Sequence, residues 1–164
     1  MSVQAAPRAR KAVAKTAPAK KAAVKKPAAK KAAPKTAAKV AYSSIKKPKF
    51  VPGRRDFMTY RELGVTEASH GRIRAQVTAS SAGLSKPTGW HVHLCEGQFV
   101  YMLSGWVDLA FADRKVRISA GDSIYIPGNT PHNEIATSEN FELVEVSVPA
   151  AMGTVACDPP ARRR

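Results

Sequence analysis

Residues 89–105 read GWHVHLCEGQFVYMLSG, and residues 121–132 read GDSIYIPGNTPH. In the first stretch His91 and His93 stand two apart on a strand-like run. Successive strand side chains alternate faces, so both imidazoles point the same way, about 7 Å apart at Cα. That separation lets both nitrogens close on one ion at about 2 Å each. A His-x-His pair alone carries little, because so short a pattern recurs by chance. Its surroundings carry more. Gln98 follows His93 by five residues, and Gly105 ends an apolar run. After the 15 residues 106–120 come Gly121, Pro127, Asn129 and His132.

Outward from these stretches, β signals dominate and helical periodicity is scarce. Phe57–Leu63 reads as a short strand or a single turn. Arg72–Thr78 alternates Ile73, Ala75 and Val77 against Arg72, Arg74 and Gln76, as a half-buried strand does. Gly89–Leu94 is a further strand. Phe99–Leu103 and Trp106–Phe111 flank Ser104-Gly105, a hairpin signal. Lys115–Ile118, Ser123–Ile126, His132–Ala136 and Phe141–Val148 follow, separated by turn residues at Asp113, Ala120-Gly121 and Pro127-Gly128-Asn129. Many short strands with such punctuation predict an antiparallel sandwich or barrel.

The joint spacing resembles the cupin superfamily, whose first motif reads G-x5-H-x-H-x3–4-E-x6-G and whose second reads G-x5-P-x-G-x2-H-x3-N. The likeness spans residues 89–132 and departs from the motifs at four positions. Gln98 stands for Glu, Asn129 for Gly, Ala136 for the final Asn, and Ser85 for the leading Gly. Asn129 is a mild change, since Asn tolerates left-handed backbone angles. The resemblance implies an all-β, double-stranded β-helix or jelly-roll barrel over 53–150, followed by an extension at 151–164. It implies the ligand set His91, His93, Gln98 and His132 around one divalent transition metal: Fe, Mn, Ni, Zn or Cu. Three imidazoles and an amide are all neutral, so such an ion keeps its full 2+ charge and acts as a strong Lewis acid. Gln in this position also occurs in some metal cupins acting on sugars and sugar acids.

Several neighbours are secondary candidates. Glu134 shares a strand face with His132 and is a candidate general base. Glu96 is another, or replaces Gln98 as ligand if its loop folds back; solvated carboxylates are the competing reading of both. Cys95 has the parity of His91 and His93 if the strand continues, making it a soft ligand, an oxidisable thiol or a buried free cysteine. Arg74 either meets an anionic substrate or caps a sheet edge. Phe99, Tyr101, Met102, Trp106 and Phe111 read as core.

Charge divides the chain in two. Residues 1–49 carry 15 of the 27 Lys and Arg and no Asp or Glu, while in the remaining 115 residues 12 basic residues balance 12 acidic ones. The basic residues recur every fifth position, including Lys15, Lys20/Lys21, Lys25/Lys26, Lys30/Lys31 and Lys35, which matches neither the helix nor the strand period. Pro7, Pro18, Pro27 and Pro34 break any helix. Like-charge repulsion without large apolar side chains predicts a disordered basic tail, with a linker ending at Pro52-Gly53. It resembles histone-H1-like Ala/Lys/Pro tails, which implies contact of residues 8–49 with nucleic acid or another polyanion; a solubilising extension is the alternative.

No window approaches the roughly 18 apolar residues of a membrane span, and the N-terminus lacks the apolar core of a secretory signal. Cys95 and Cys157 are too few for a disulfide framework, so a reduced cytosol, with a nucleoid association through the tail, is the expected compartment. Three functions follow. The first is a small metalloenzyme performing dioxygenase-like, isomerase-like or lyase-like chemistry on a small polar molecule. The second is a non-catalytic metal- or ligand-binding cupin tethered to DNA or RNA. The third is a nucleoid accessory in which a homodimer multiplies the tail's valency.

Overall fold

The computed structural model describes residues 39–161. Of the expected disordered tail, residues 1–49, the stretch 1–38 with Lys20, Lys21, Lys25, Lys26, Lys30, Lys31 and Lys35 lies outside the described residues.

Eleven strands and one helical turn make up the described residues: β1 (Lys49–Pro52), β2 (Met58–Glu62), α1 (Val65–Ala68), β3 (Arg74–Ser80), β4 (His91–Leu94), β5 (Gly97–Ser104), β6 (Trp106–Ala110), β7 (Lys115–Ser119), β8 (Ser123–Pro127), β9 (Asn133–Thr137), β10 (Phe141–Val148) and β11 (Gly153–Ala156). All pairings are antiparallel. One six-stranded sheet runs β1-β2-β3-β10-β5-β8, a three-stranded sheet runs β7-β6-β9, and β11 pairs β4. An isolated bridge between His91 and His132 joins β4 to the start of β9. This is the β-barrel expected from the close spacing of short strands. No helix among the described residues is long and apolar enough to cross a membrane.

Between the two larger sheets lie Val100, Met102, Val107, Leu109, Ile118, Ile126, Phe141 and Leu143. On β5 the buried Gln98, Val100 and Met102 alternate with exposed Phe99, Tyr101 and Leu103. Phe99 and Tyr101 therefore face outward, against the expectation that they fill the core. Only one face of β5 is covered, and these two occupy the other. Trp106 is half-buried beneath the Arg117 guanidinium, 3.8 Å from its ring centre.

Three further expectations change. Ser104-Gly105 is not a hairpin, because β5 and β6 belong to different sheets. It is the corner at which the chain crosses between them. Gly105 adopts φ 70°, and a Cβ there would fall 2.3 Å from Ser138 Oγ and 2.5 Å from the Asn140 carbonyl. Glycine is thus required both by backbone angle and by space.

The inner face of β3 is the polar one. Arg74, Gln76 and Thr78 lie directly opposite Ser147, Glu145 and Leu143 of β10, while Ala75 and Val77 are buried on the other side. Alternation alone fixes which residues share a face, not which face turns inward.

Strand β1 falls where a linker was expected. Gly53 N–H donates to Met58 O at 2.9 Å, closing a hairpin to β2. Strand β11 lies in the C-terminal extension, too short and exposed to announce itself.

Candidate metal centre

His91 and His93 follow the parity argument: both are buried on one face of β4, with the outward Val92 between them. His132 arrives from the other side. Its main chain and that of His91 exchange two hydrogen bonds of 3.0 Å, locking the two residues opposite each other. The ring centroids stand 4.4 Å apart for His91–His132 and 5.0 Å for each of the other two pairs. One nitrogen from each ring lies within 4.8 Å of the others.

The second nitrogens explain the orientation. His91 Nδ1 donates to the Gly89 carbonyl at 2.9 Å, and His132 Nδ1 to the Thr130 carbonyl at 2.9 Å. A carbonyl only accepts, so in both rings the proton sits on Nδ1 and the Nε2 lone pair is left free. His93 Nδ1 meets Thr154 Oγ1 at 3.1 Å. That hydroxyl is presented by β11, whose Thr154 stands opposite His93 in the ladder.

His91 Nε2 is buried without a partner, and so is Gln98 Oε1 on the neighbouring wall. Buried polar atoms without partners are rare and costly. Three converging imidazoles, two with their Nε2 lone pairs left free, together with an orphaned amide oxygen on the same cavity wall, fit a divalent transition-metal ion.

The surroundings of His93 and His132 disfavour their protonation. His93 is lowered to about 4 by burial first, then by its neighbours His132 and His91. His132 is also lowered, chiefly by burial. Arg54 at the cavity rim works against protonation of both. Neutral imidazole is the form that ligates metal.

Glu134 is placed where its parity put it, with Oε2 3.7 Å from His91 Nε2. The Thr88 hydroxyl donates a short hydrogen bond to the same oxygen. Burial alone would raise this carboxyl, but the Thr88 bond and the adjacent imidazoles outweigh it and hold it below the usual carboxylate range. Phe111 stacks on His132 at 6.2 Å, so it abuts the site instead of lying deep in the core.

The other candidates lie elsewhere. Strand β4 stops at Leu94, so the alternation that would have brought Cys95 inward does not continue. Cys95 is a free, half-buried cysteine outside the cavity wall, its thiol pushed up by burial. Glu96 is exposed at the β4–β5 turn, and its loop does not fold back. Its backbone is tied to Val148 O at 2.7 Å and Gly128 N at 3.0 Å. Arg74 is occupied by Glu145 at 2.7 Å.

A cavity of about 520 Å³ opens over the three imidazoles, lined also by Gln98, Glu134 and the apolar core residues. Thr88, Thr154, Glu145, Arg54 and Arg55 belong to this wall or rim and were not singled out from sequence. Thr88 and Thr154 act through hydroxyls from segments without a motif. Glu145 alone carried a signal: a charge at an inward position of the apolar run 141–148.

Residues 82–148 match the family model described as the cupin domain. They form a cupin domain. No curated protein sequence matches the chain. The fold of this cupin is similar to that of the polyketide cyclase RemF from Streptomyces resistomycificus, at 18% identity and a TM-score of 0.58, covering 76% of this chain and 89% of that one. It is similar to KdgF from Halomonas sp. at 16% identity and a TM-score of 0.53, covering 66% and 94%. It also resembles the nucleoside dehydratase Pac13 from Streptomyces, at 16% identity and a TM-score of 0.52, covering 72% and 92%. Identities this low speak to the shared fold alone.

Proposed function

We propose that this cupin is a metal-dependent enzyme acting on a small polar molecule. The observation that carries the reading is the convergence of three buried imidazoles whose outer nitrogens are tethered, two to carbonyls and one to a hydroxyl. In this reading His91, His93 and His132 hold a divalent ion, with Gln98 as fourth donor. The ion supplies a Lewis acid that polarises a carbonyl or activates bound water or dioxygen. Glu134 takes up the proton that the substrate releases, and Thr88 fixes the oxygen that receives it. Phe111 braces the His132 ring, and Val107, Leu109 and Ile126 keep bulk water from the reacting atoms. Enzyme neighbours on the same fold agree with catalysis, although such a scaffold hosts many reactions. Isomerase-like, lyase-like and dioxygenase-like steps all fit this arrangement.

We assign to residues 8–49 an electrostatic contact with nucleic acid or another polyanion, supported by 15 basic and no acidic residues in the first 49. The unpaired Cys95 and Cys157 agree with a reduced, cytoplasmic setting, near the nucleoid if the polyanion is DNA.

Elemental analysis of the purified full chain tests the centre. About one transition-metal ion per chain is expected, and His91→Ala or His132→Ala should abolish it while the circular dichroism of the barrel persists. Less than a tenth of an ion per chain in the unmodified protein would end the metal reading.

A further inference from the structure

The cavity rim carries two guanidiniums to which the proposed chemistry gives no task. Arg54 and Arg55 follow the Pro52-Gly53 turn between β1 and β2, and both line the cavity. The loop that presents them is tight. Gly53 N–H donates to Met58 O at 2.9 Å and Met58 N–H donates to Arg55 O at 2.9 Å. A Cβ on Gly53 would lie 2.6 Å from Met58 Cβ. Arg54 is steadied twice more: its main-chain N–H donates to Tyr60 Oη at 3.1 Å, and its Nη1 donates to Thr154 Oγ1 at 3.4 Å. That hydroxyl also meets His93 Nδ1, so the guanidinium and the imidazole share one bridging group.

Neither arginine meets a carboxylate. The arginine–carboxylate ion pairs among the described residues are Arg74–Glu145, Arg114–Asp113 and Arg117–Asp108. Two carboxylates line the cavity, Glu134 and Glu145, and Arg74 already neutralises the second. The donor set at the floor is three imidazoles and an amide, all uncharged, so an ion held there keeps its 2+ charge. With such an ion bound, floor and rim would both be cationic, and Glu134, hydrogen-bonded by Thr88, is the one lining carboxylate without an arginine partner. A low-dielectric cavity with that balance favours an anionic occupant.

We infer that the cavity selects a small organic anion, with the forked donors of Arg54 and Arg55 taking its negative group while its uncharged end lies toward His91, His93 and His132. Planar guanidinium forks suit a carboxylate, and a phosphate is bound by the same geometry. The inference rests on the metal reading above and narrows it to a substrate class.

The test uses the full chain loaded with Co2+, whose visible absorption reports events at the imidazoles and not on the basic tail. Lactate and its neutral isostere lactamide are titrated at about 0.15 M salt, where distant tail charges are screened. Lactate is expected to perturb the spectrum at a concentration at least tenfold below lactamide, with inorganic phosphate competing if the rim also accepts phosphate. Arg54→Gln should weaken lactate about tenfold and leave lactamide and cobalt content unchanged, while Arg54→Lys should restore part of the loss. Cobalt-loaded protein that binds lactate no tighter than lactamide, or that binds lactate equally well before and after the Arg54→Gln substitution, would overturn the inference alone. Protein that takes up no cobalt would overturn the metal reading and this inference with it.

Discussion

Acidifying the metal-free protein should weaken the barrel in a window that belongs to His93 and His132. His93 has a folded-state pKa of about 4 against an ordinary value of 6.5. Below about pH 6.5 the unfolded chain therefore binds a proton that the folded chain refuses, and stability falls as pH falls. At 1.36 kcal/mol for each tenfold change, His93 alone removes about 2 kcal/mol by pH 5 and about 3 kcal/mol by pH 4. His132 acts with the same sign. Glu134, lowered below its ordinary 4.5, adds a loss only beneath that value, so the interval between about pH 6.5 and 4.5 isolates His93 and His132 from it. Losses of this size are a substantial part of a typical domain's stability of roughly 5–15 kcal/mol. Urea unfolding with a chelator present, at several pH values from about 8 to 4.5, measures the slope. His93→Asn, which cannot titrate, should make it shallower, leaving the part due to His132. Parallel slopes for the two proteins would refute the argument that burial holds His93 neutral.

Other outcomes are equally specific. Glu134→Gln should keep metal content unchanged and lower turnover about 100-fold or more in any reaction found for the protein, as loss of a general base does; loss of the ion instead would make Glu134 a ligand. Gly105→Ala places a Cβ against the Asn140 carbonyl at φ 70° and should cost about 1–3 kcal/mol in chemical denaturation, whereas an unchanged midpoint would mean that the corner relaxes freely. Met102 is fully buried, so Met102→Ala should cost about 2–5 kcal/mol in the same assay. Replacing Lys20, Lys21, Lys25, Lys26, Lys30, Lys31 and Lys35 by Gln should reduce the salt dependence of duplex-DNA binding in gel-shift titrations; identical, salt-insensitive behaviour of both proteins would discard the polyanion role.

The barrel was legible because its strands are short, closely spaced and punctuated by residues with special backbone freedom. Asn129 adopts φ 60° at the turn where left-handed geometry was expected of it. His91 and His93 were legible because strand parity fixes a shared face from spacing alone. Illegible were properties set by partners distant in sequence. Ser104-Gly105 looks like a hairpin locally, and only the placement of β6 in the other sheet makes it a corner. Alternation in 72–78 is genuine, yet which side faces inward depends on β10, some 70 positions on. Thr88 and Thr154 matter through one hydroxyl each, and Arg54 through a loop whose shape rests on Gly53 and Met58. Cys95 failed for a plain reason: extrapolated parity is valid only while the strand lasts, and β4 ends one residue earlier.

The hydrogen bond that orients His93 comes from a residue 61 positions downstream. During synthesis the ribosome therefore releases His91 and His93 long before the hydroxyl that steadies the second of them. His132 and the β10 strand that unites the larger sheet also emerge before Thr154. If the proposed centre holds an ion, one caught by the nascent chain would meet a His93 ring still free to turn, and loading would become faithful only after β11 has zipped onto β4. On the metal reading, a lesion that frays this late, exposed strand would loosen His93 first and disturb the metal content before the larger sheets.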